Sequence, residues 1–148
     1  MPKVLFAAAA GAAVAAAVVA VRVPATTGPA TIRITDTQTG YRRVGAPLQR
    51  PGQVEIIQQR LYNPRISKVI GRGDLLCTYV NRRRRQCNGT YSLPRGGLVV
   101  AGLVESRRVF ELAIVGGTGL YGNARGTLAV TAAGQRPRRE VLVFRLAG

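Results

Sequence analysis

Within the stretch LAIVGGTGLYGNARG (residues 112–126), Gly117-Thr118-Gly119-Leu120-Tyr121-Gly122 has the spacing G-x-G-x-x-G after an apolar run. Such a loop can cradle a dinucleotide pyrophosphate when a strand precedes it and a helix N-terminus comes after it. The segment downstream of Gly122, NARGTLAVTAAGQRP, contains Gly126 and then Thr, Leu and Val in alternation, which makes a poor helix. Only 26 residues come after Gly122, too few for the remaining βαβ units. Glu140 lies at about the distance of a ribose-binding acid, but it opens a strand candidate, whereas that acid belongs near a strand end. The glycines therefore read as a tight corner between two strands.

The chain has no histidine, which removes Ser-His-Asp and Cys-His nucleophilic chemistry. With only two cysteines, Cys77 and Cys87, a structural zinc site is not supported. The pair flanks the run Arg82-Arg83-Arg84-Arg85. In an oxidising compartment a disulfide is the expected state, clamping two neighbouring strands and contributing about 2–3 kcal/mol through chain entropy.

The first residues, MPKVLFAAAAGAAVAAAVVAVRVPA, place Lys3 before an apolar and small-residue run over 4–21. This predicts a secretory signal peptide over 1–25, cleaved after Ala20 or Ala25, with an uncleaved membrane anchor as the rival. The expected product is one secreted or envelope-located domain over 26–148. The formal charge is +16, and removing residues 1–25 takes away Lys3 and Arg22 but no acid, leaving about +14. That charge attracts anions such as nucleic acid, acidic polysaccharide or a membrane surface, or else it is a solvated surface. Aromatics are not interleaved with the arginines, as a single-strand stacking platform would want.

Amphipathic helix patterns are nearly absent. Short β-branched runs recur over 31–37, 53–62, 75–81, 86–93, 98–105, 109–115, 126–132 and 140–146, separated by Gly, Pro, Asn and Arg clusters. Eight evenly spaced strands with short links predict an all-β fold, an antiparallel sandwich or closed barrel. A barrel of this size removes its edges and can hold one small ligand. In the sixth run Phe110, Leu112 and Ile114 share one face and Glu111 and Ala113 the other, without showing which face points inward.

The segment AIVGGTGLYGNARG resembles the signature of the dirigent and allene-oxide-cyclase-like superfamily: a strand, GGTG, an aromatic, then an Ala-Arg-Gly step into the next strand. Looser likeness extends over most of 31–147, through Leu61-Tyr62-Asn63, Lys68 to Gly71, Cys77, Cys87 and Tyr91 to Pro94. The resemblance implies an eight-stranded antiparallel β-barrel (calycin-type) with a ligand cavity, commonly trimeric. It also implies a barrel that guides a reactive small molecule through shape and one or two polar groups, without a metal or cofactor.

By that resemblance Asp36 matches an acidic residue on the first strand that faces the cavity, either steering positive charge or acting as a base, though it could equally cap a turn. Cys77 matches a third-strand cysteine whose role is lost if it is bonded to Cys87. Where dirigent proteins carry Arg-Glu, this chain has Phe110-Glu111. Glu111 is the second candidate catalytic carboxylate, and Tyr79, Tyr91 and Arg125 are candidate ligand contacts. Each has a plainer role as well: outer-face pairing for Glu111, strand packing for the tyrosines, and a corner tie for Arg125. The expected partner is a small apolar ligand, with a possible homo-trimer or dimer, no specific nucleic acid and no membrane after signal cleavage. Any catalysis would be cofactor-free cyclisation, isomerisation or coupling. The alternative is a non-catalytic basic protein that binds an anionic polymer or the cell envelope. Asn88-Gly89-Thr90 also fits a glycosylation sequon.

Overall fold

The structure, a computed structural model, describes residues 30–105 and 108–147. The expected signal peptide and its cleavage sites lie outside the described residues. Eight strands succeed one another along the chain: β1 (Ala30–Gly45), β2 (Gln53–Tyr62), β3 (Val69–Tyr79), β4 (Arg85–Leu93), β5 (Gly96–Val104), β6 (Val109–Gly117), β7 (Arg125–Gln135) and β8 (Arg138–Ala147). Each pairs antiparallel with its sequence neighbours, and β8 pairs with β1, closing the barrel. Among the described residues the only helical piece is the 3-10 turn Gly119–Tyr121.

Alternation settles which faces point inward. Leu75, Cys77 and Tyr79 on β3, Phe110, Leu112 and Ile114 on β6, and Leu142, Phe144 and Leu146 on β8 are all buried. On β3 and β6 the residues between them are mostly exposed. A pleated strand with one face in the core and one in water produces this two-residue period. The Tyr91 and Phe144 rings meet edge to face at 5.3 Å near the middle of the core. Cys77 and Cys87 are direct cross-strand partners, fully buried and joined by a disulfide.

Two strands run further than the sequence suggests. β1 continues from Thr37 to Gly45 because a bulge between Gln38 and Gly40 keeps it in register with β2. β3 begins at Val69, through a Gly71-Arg72-Gly73 segment that reads as loop. Gly73 is strand because a Cβ there would stand 2.8 Å from two Tyr91 ring atoms and 2.9 Å from Gln59 Oε1, so only glycine leaves the ring its place.

The GGTG segment is a corner. Thr118 N donates to Gly97 O at 2.8 Å, Leu120 N donates to Arg95 O at 2.9 Å, and Thr118 Oγ1 accepts from Gly97 N at 3.0 Å. These bonds fold it over the β4–β5 turn. No helix comes after it, and β7 starts at Arg125. At Gly126 the backbone φ is 144° and a Cβ would overlap the Arg145 carbonyl oxygen, so this step of the signature is a close approach of β7 to β8.

The up-and-down topology gives the barrel two distinct ends. The β1–β2, β3–β4, β5–β6 and β7–β8 connections lie at one, here called the hairpin end. The start of β1, the finish of β8 and the other three connections lie at the opposite end.

Candidate functional site

Three polar side chains meet inside the barrel where β1 and β8 pair. Asp36 on β1 is the register partner of Glu140 on β8 and of Leu61 on β2. It is 1 % exposed. Its Oδ1 accepts the Glu140 backbone N–H at 2.8 Å, and its Oδ2 accepts from Gln59 Nε2. The same Gln59 amide reaches Glu140 Oε2 at 3.3 Å. Carboxylates on that side fix the orientation of the amide and leave Gln59 Oε1 buried, with no hydrogen bond to any described residue. Arg138 closes the group from above, with NH2 at 2.9 Å and Nε at 3.1 Å from Glu140 Oε1.

Two buried carboxyls side by side cannot both carry full charge at low cost. Burial pushes the Asp36 carboxyl up from 3.8 to about 7, and the neighbouring Glu140 carboxylate adds to the rise. The Glu140 N–H, Arg138 and Gln59 hold it back in part. Asp36 therefore exchanges a proton near neutral pH, as a general acid or base must. Across the core, burial drives the Tyr91 phenol well above its ordinary value, reinforced by Asp36 and Glu140, so Tyr91 stays a neutral hydroxyl facing that group.

A second buried cluster lies toward the hairpin end. Glu55 on β2 is fully buried and Arg85 on β4 is 4 % exposed; they form a direct ion pair. Tyr41 OH donates to Glu55 Oε1 at 2.5 Å and Tyr79 OH lies 3.5 Å from the same oxygen, while the Arg85 guanidinium sits 5.9 Å over the Phe110 ring.

The sequence candidates divide accordingly. Asp36, Tyr79 and Tyr91 point inward, and the Asp36 and Glu140 charges act on Tyr91. Glu111 does not line the interior: it is exposed on the outer face of β6, 3.6 Å from Arg145. Its neighbours Phe110 and Leu112 take the inward positions, so the pleat sends Glu111 out. Arg125 is exposed and bonds the Ala124 carbonyl at 2.9 Å, tying its own corner. Cys77 is held in the disulfide and offers no thiol. The sequence reading missed Gln59, Glu55 and Arg85, and weighed Glu140 only as a ribose-binding acid. Their signal was parity: Glu140 alternates with Leu142, Phe144 and Leu146, Gln59 with Leu61, and Arg85 with Cys87.

The β1–β8 pairing stops at Thr37↔Arg139, one step beyond Asp36↔Glu140, so the seam parts just above the carboxyls while β1 runs on beside β2. A cavity of about 190 Å3 lies at the hairpin end, lined by Arg108, Ala132, Gly134, Gln135 and Arg138. Arg138 joins it to Glu140. Two concavities are larger, and the first of them reaches Gln59 of the buried group. One, of about 450 Å3, is lined by mostly exposed polar residues of β1 to β3, including Thr39, Arg60, Arg72 and Asp74. The other, of about 370 Å3, is apolar and lies on the outer face around Ile56, Leu76 and Val99. Among the described residues no group of three His, Cys, Asp or Glu side chains is placed to hold a metal ion.

No family model and no curated protein matches the sequence. Solved structures do. A pyocyanin demethylase superposes with a TM-score of 0.67 at 23% identity, covering 76% of this chain and 98% of its own. A pterocarpan synthase dirigent protein gives 0.63 at 19%, covering 84% and 92%. The Diels-Alderase AbmU from Streptomyces koyangensis gives 0.63 at 21%, covering 80% of this chain and 64% of its own. The chain has the barrel fold shared by dirigent proteins and Diels-Alderase barrels.

Proposed function

We propose that this barrel receives a small, largely apolar molecule through its hairpin-end mouth and guides its ring closure or coupling, with Asp36 handling the proton. One observation carries the reading: the buried Asp36 carboxyl, raised by burial to about 7, is held by Gln59 and the Glu140 N–H inside the barrel. A polar group of the ligand would meet Arg138 at the mouth and the unpartnered Gln59 Oε1 below it, while Tyr91 offers a neutral hydroxyl. Protonated Asp36 would donate to an oxygen that gains negative charge as a bond forms; ionised, it would accept a proton or oppose a developing positive charge. The proteins of this fold named above work on small molecules by their names, which supports the same class here. Secretion, from the N-terminal apolar run, belongs to the proposal.

The test is binding of a neutral apolar fluorophore, N-phenyl-1-naphthylamine, with Ala132→Trp as the blocked form of the mouth. Saturable binding by the native protein, weakened about tenfold or more in the variant, is the expected result (about 1.4 kcal/mol). Binding that is absent, or that ignores the tryptophan in the mouth, defeats the reading. The expected catalytic counterpart is Asp36→Asn, which should bind the fluorophore normally and lose proton-dependent turnover of any substrate found.

A further inference from the structure

Among the connections between strands the arginines are not spread evenly. The barrel's topology carries alternate connections to the hairpin end, and they bring Arg50, Arg82, Arg83, Arg84, Arg108 and Arg136 to one rim, all exposed. The connections at the opposite end carry Arg65, Lys68 and Arg95, and the strand ends beside them add Arg60, Arg72, Arg125 and Arg145, on the barrel wall rather than in the loops. One rim acid, Glu105, pairs with Arg84 at 2.8 Å in the open.

The same rim holds a second feature. The three most exposed large apolar side chains among the described residues are Val109 at 60 %, Leu48 at 58 % and Val80 at 54 %. They sit on three different hairpins, all at this end. A single exposed aliphatic needs no explanation, but three of them set among arginines around one rim form a pattern.

A soluble polyanion would use the cations and waste the aliphatics. An anionic bilayer uses both: guanidinium forks pair bidentately with lipid phosphates, and short aliphatic tips enter the interface beneath them. We infer that the hairpin end is a docking surface for an anionic phospholipid membrane, with Leu48, Val80 and Val109 seated at the headgroup level and the arginine rim bound to phosphates. This departs from the expectation that the mature chain has no membrane contact, and it gives the excess charge a location and a partner.

The chain has no tryptophan, so single reporters are clean. Leu48→Trp reads the hairpin end and Val69→Trp, also on an exposed valine, reads the opposite end. Each reports only its own surroundings, which keeps the apolar N-terminal run out of the signal. In the full chain, vesicles of phosphatidylcholine with phosphatidylglycerol should shift Leu48→Trp emission to the blue and leave Val69→Trp unmoved. Phosphatidylcholine alone should shift neither. Adding Arg82→Ser, Arg83→Ser and Arg84→Ser to the Leu48→Trp chain should weaken binding about a hundredfold, at about fivefold per arginine. Arg65→Ser, Lys68→Ser and Arg95→Ser together should leave it within about threefold of the parent, since they lie far from the surface. The inference is overturned if Leu48→Trp does not shift, if both reporters shift alike, or if the two triple variants lose affinity equally. Tight binding of heparin without any vesicle response also overturns it, in favour of a soluble polyanion.

Discussion

Replacing Asp36 by Asn preserves the shape of the side chain and the oxygen that accepts the Glu140 N–H, and removes the charge. In the folded protein burial raises this carboxyl from 3.8 to about 7. Between those values the native state keeps a proton that the unfolded chain has released, so stability falls as pH rises. The contribution is full below 3.8, is lost progressively up to about 7, and stays lost above it. At 1.36 kcal/mol per decade, the interval corresponds to about 4 kcal/mol. The amide forgoes a charge-assisted bond with Gln59, which costs about 1–2 kcal/mol. Gln59 offsets part of this by turning its unpartnered Oε1 toward the new NH2. The variant should therefore be about 2–3 kcal/mol more stable than the native protein near pH 8, and equal or slightly weaker near pH 4. Urea unfolding monitored by far-UV circular dichroism, with the disulfide intact, measures both proteins across that range. The difference between them isolates this one group from the other carboxylates. A difference that does not change with pH, or that favours the native protein as pH rises, refutes the assignment of a buried proton to Asp36.

Four other changes test the packing of the barrel. Glu55→Gln leaves the Arg85 guanidinium buried without its carboxylate and should destabilise by about 3–5 kcal/mol, whereas Glu111→Gln, at the exposed pair with Arg145, should change urea stability by less than about 0.5 kcal/mol. Replacing Cys77 and Cys87 together by serine opens a loop between residues ten apart and should lower stability by at least about 2–3 kcal/mol, read as a lower urea midpoint. Gly126→Ala forces a side chain against the Arg145 carbonyl at a φ of 144° and should cost about 3 kcal/mol or more by the same measurement, through strain and displacement of β8.

The eight strands were legible because one buried and one exposed face give a period of two, which β6 and the middle of β3 show in full. The corner was legible because no helix can start after Gly122. What stayed hidden was long-range. Gly71 and Gly73 look like a turn until Tyr91, eighteen residues on, is seen to occupy the space above Gly73. The end of β1 looks like a turn until β2 is laid against its bulge. Asp36 was identifiable by resemblance, but its meaning comes from Glu140, 104 residues away. Glu111 was the more prominent acid because it sits beside the signature, and the pleat turns it outward. The disulfide was legible from two cysteines placed symmetrically about a hairpin, a local pattern that needs no tertiary information.

The β1–β8 seam has a consequence for how the molecule reaches its fold. Seven of the eight strand pairings join sequence neighbours and can form by successive hairpin addition. The eighth must bring together segments about a hundred residues apart. Closing a loop of that length costs about 4 kcal/mol of chain entropy before any contact offsets it. Circularisation is thus the natural late event in folding, and the species before it is an open, curled sheet with two bare edges able to pair with other chains. The Asp36–Gln59–Glu140 group forms only when the ring shuts, and it is easiest to assemble while Asp36 holds its proton. Mild acidity should therefore favour productive closure over edge-to-edge aggregation, so the carboxyl assigned to chemistry in the finished barrel also influences whether the barrel closes.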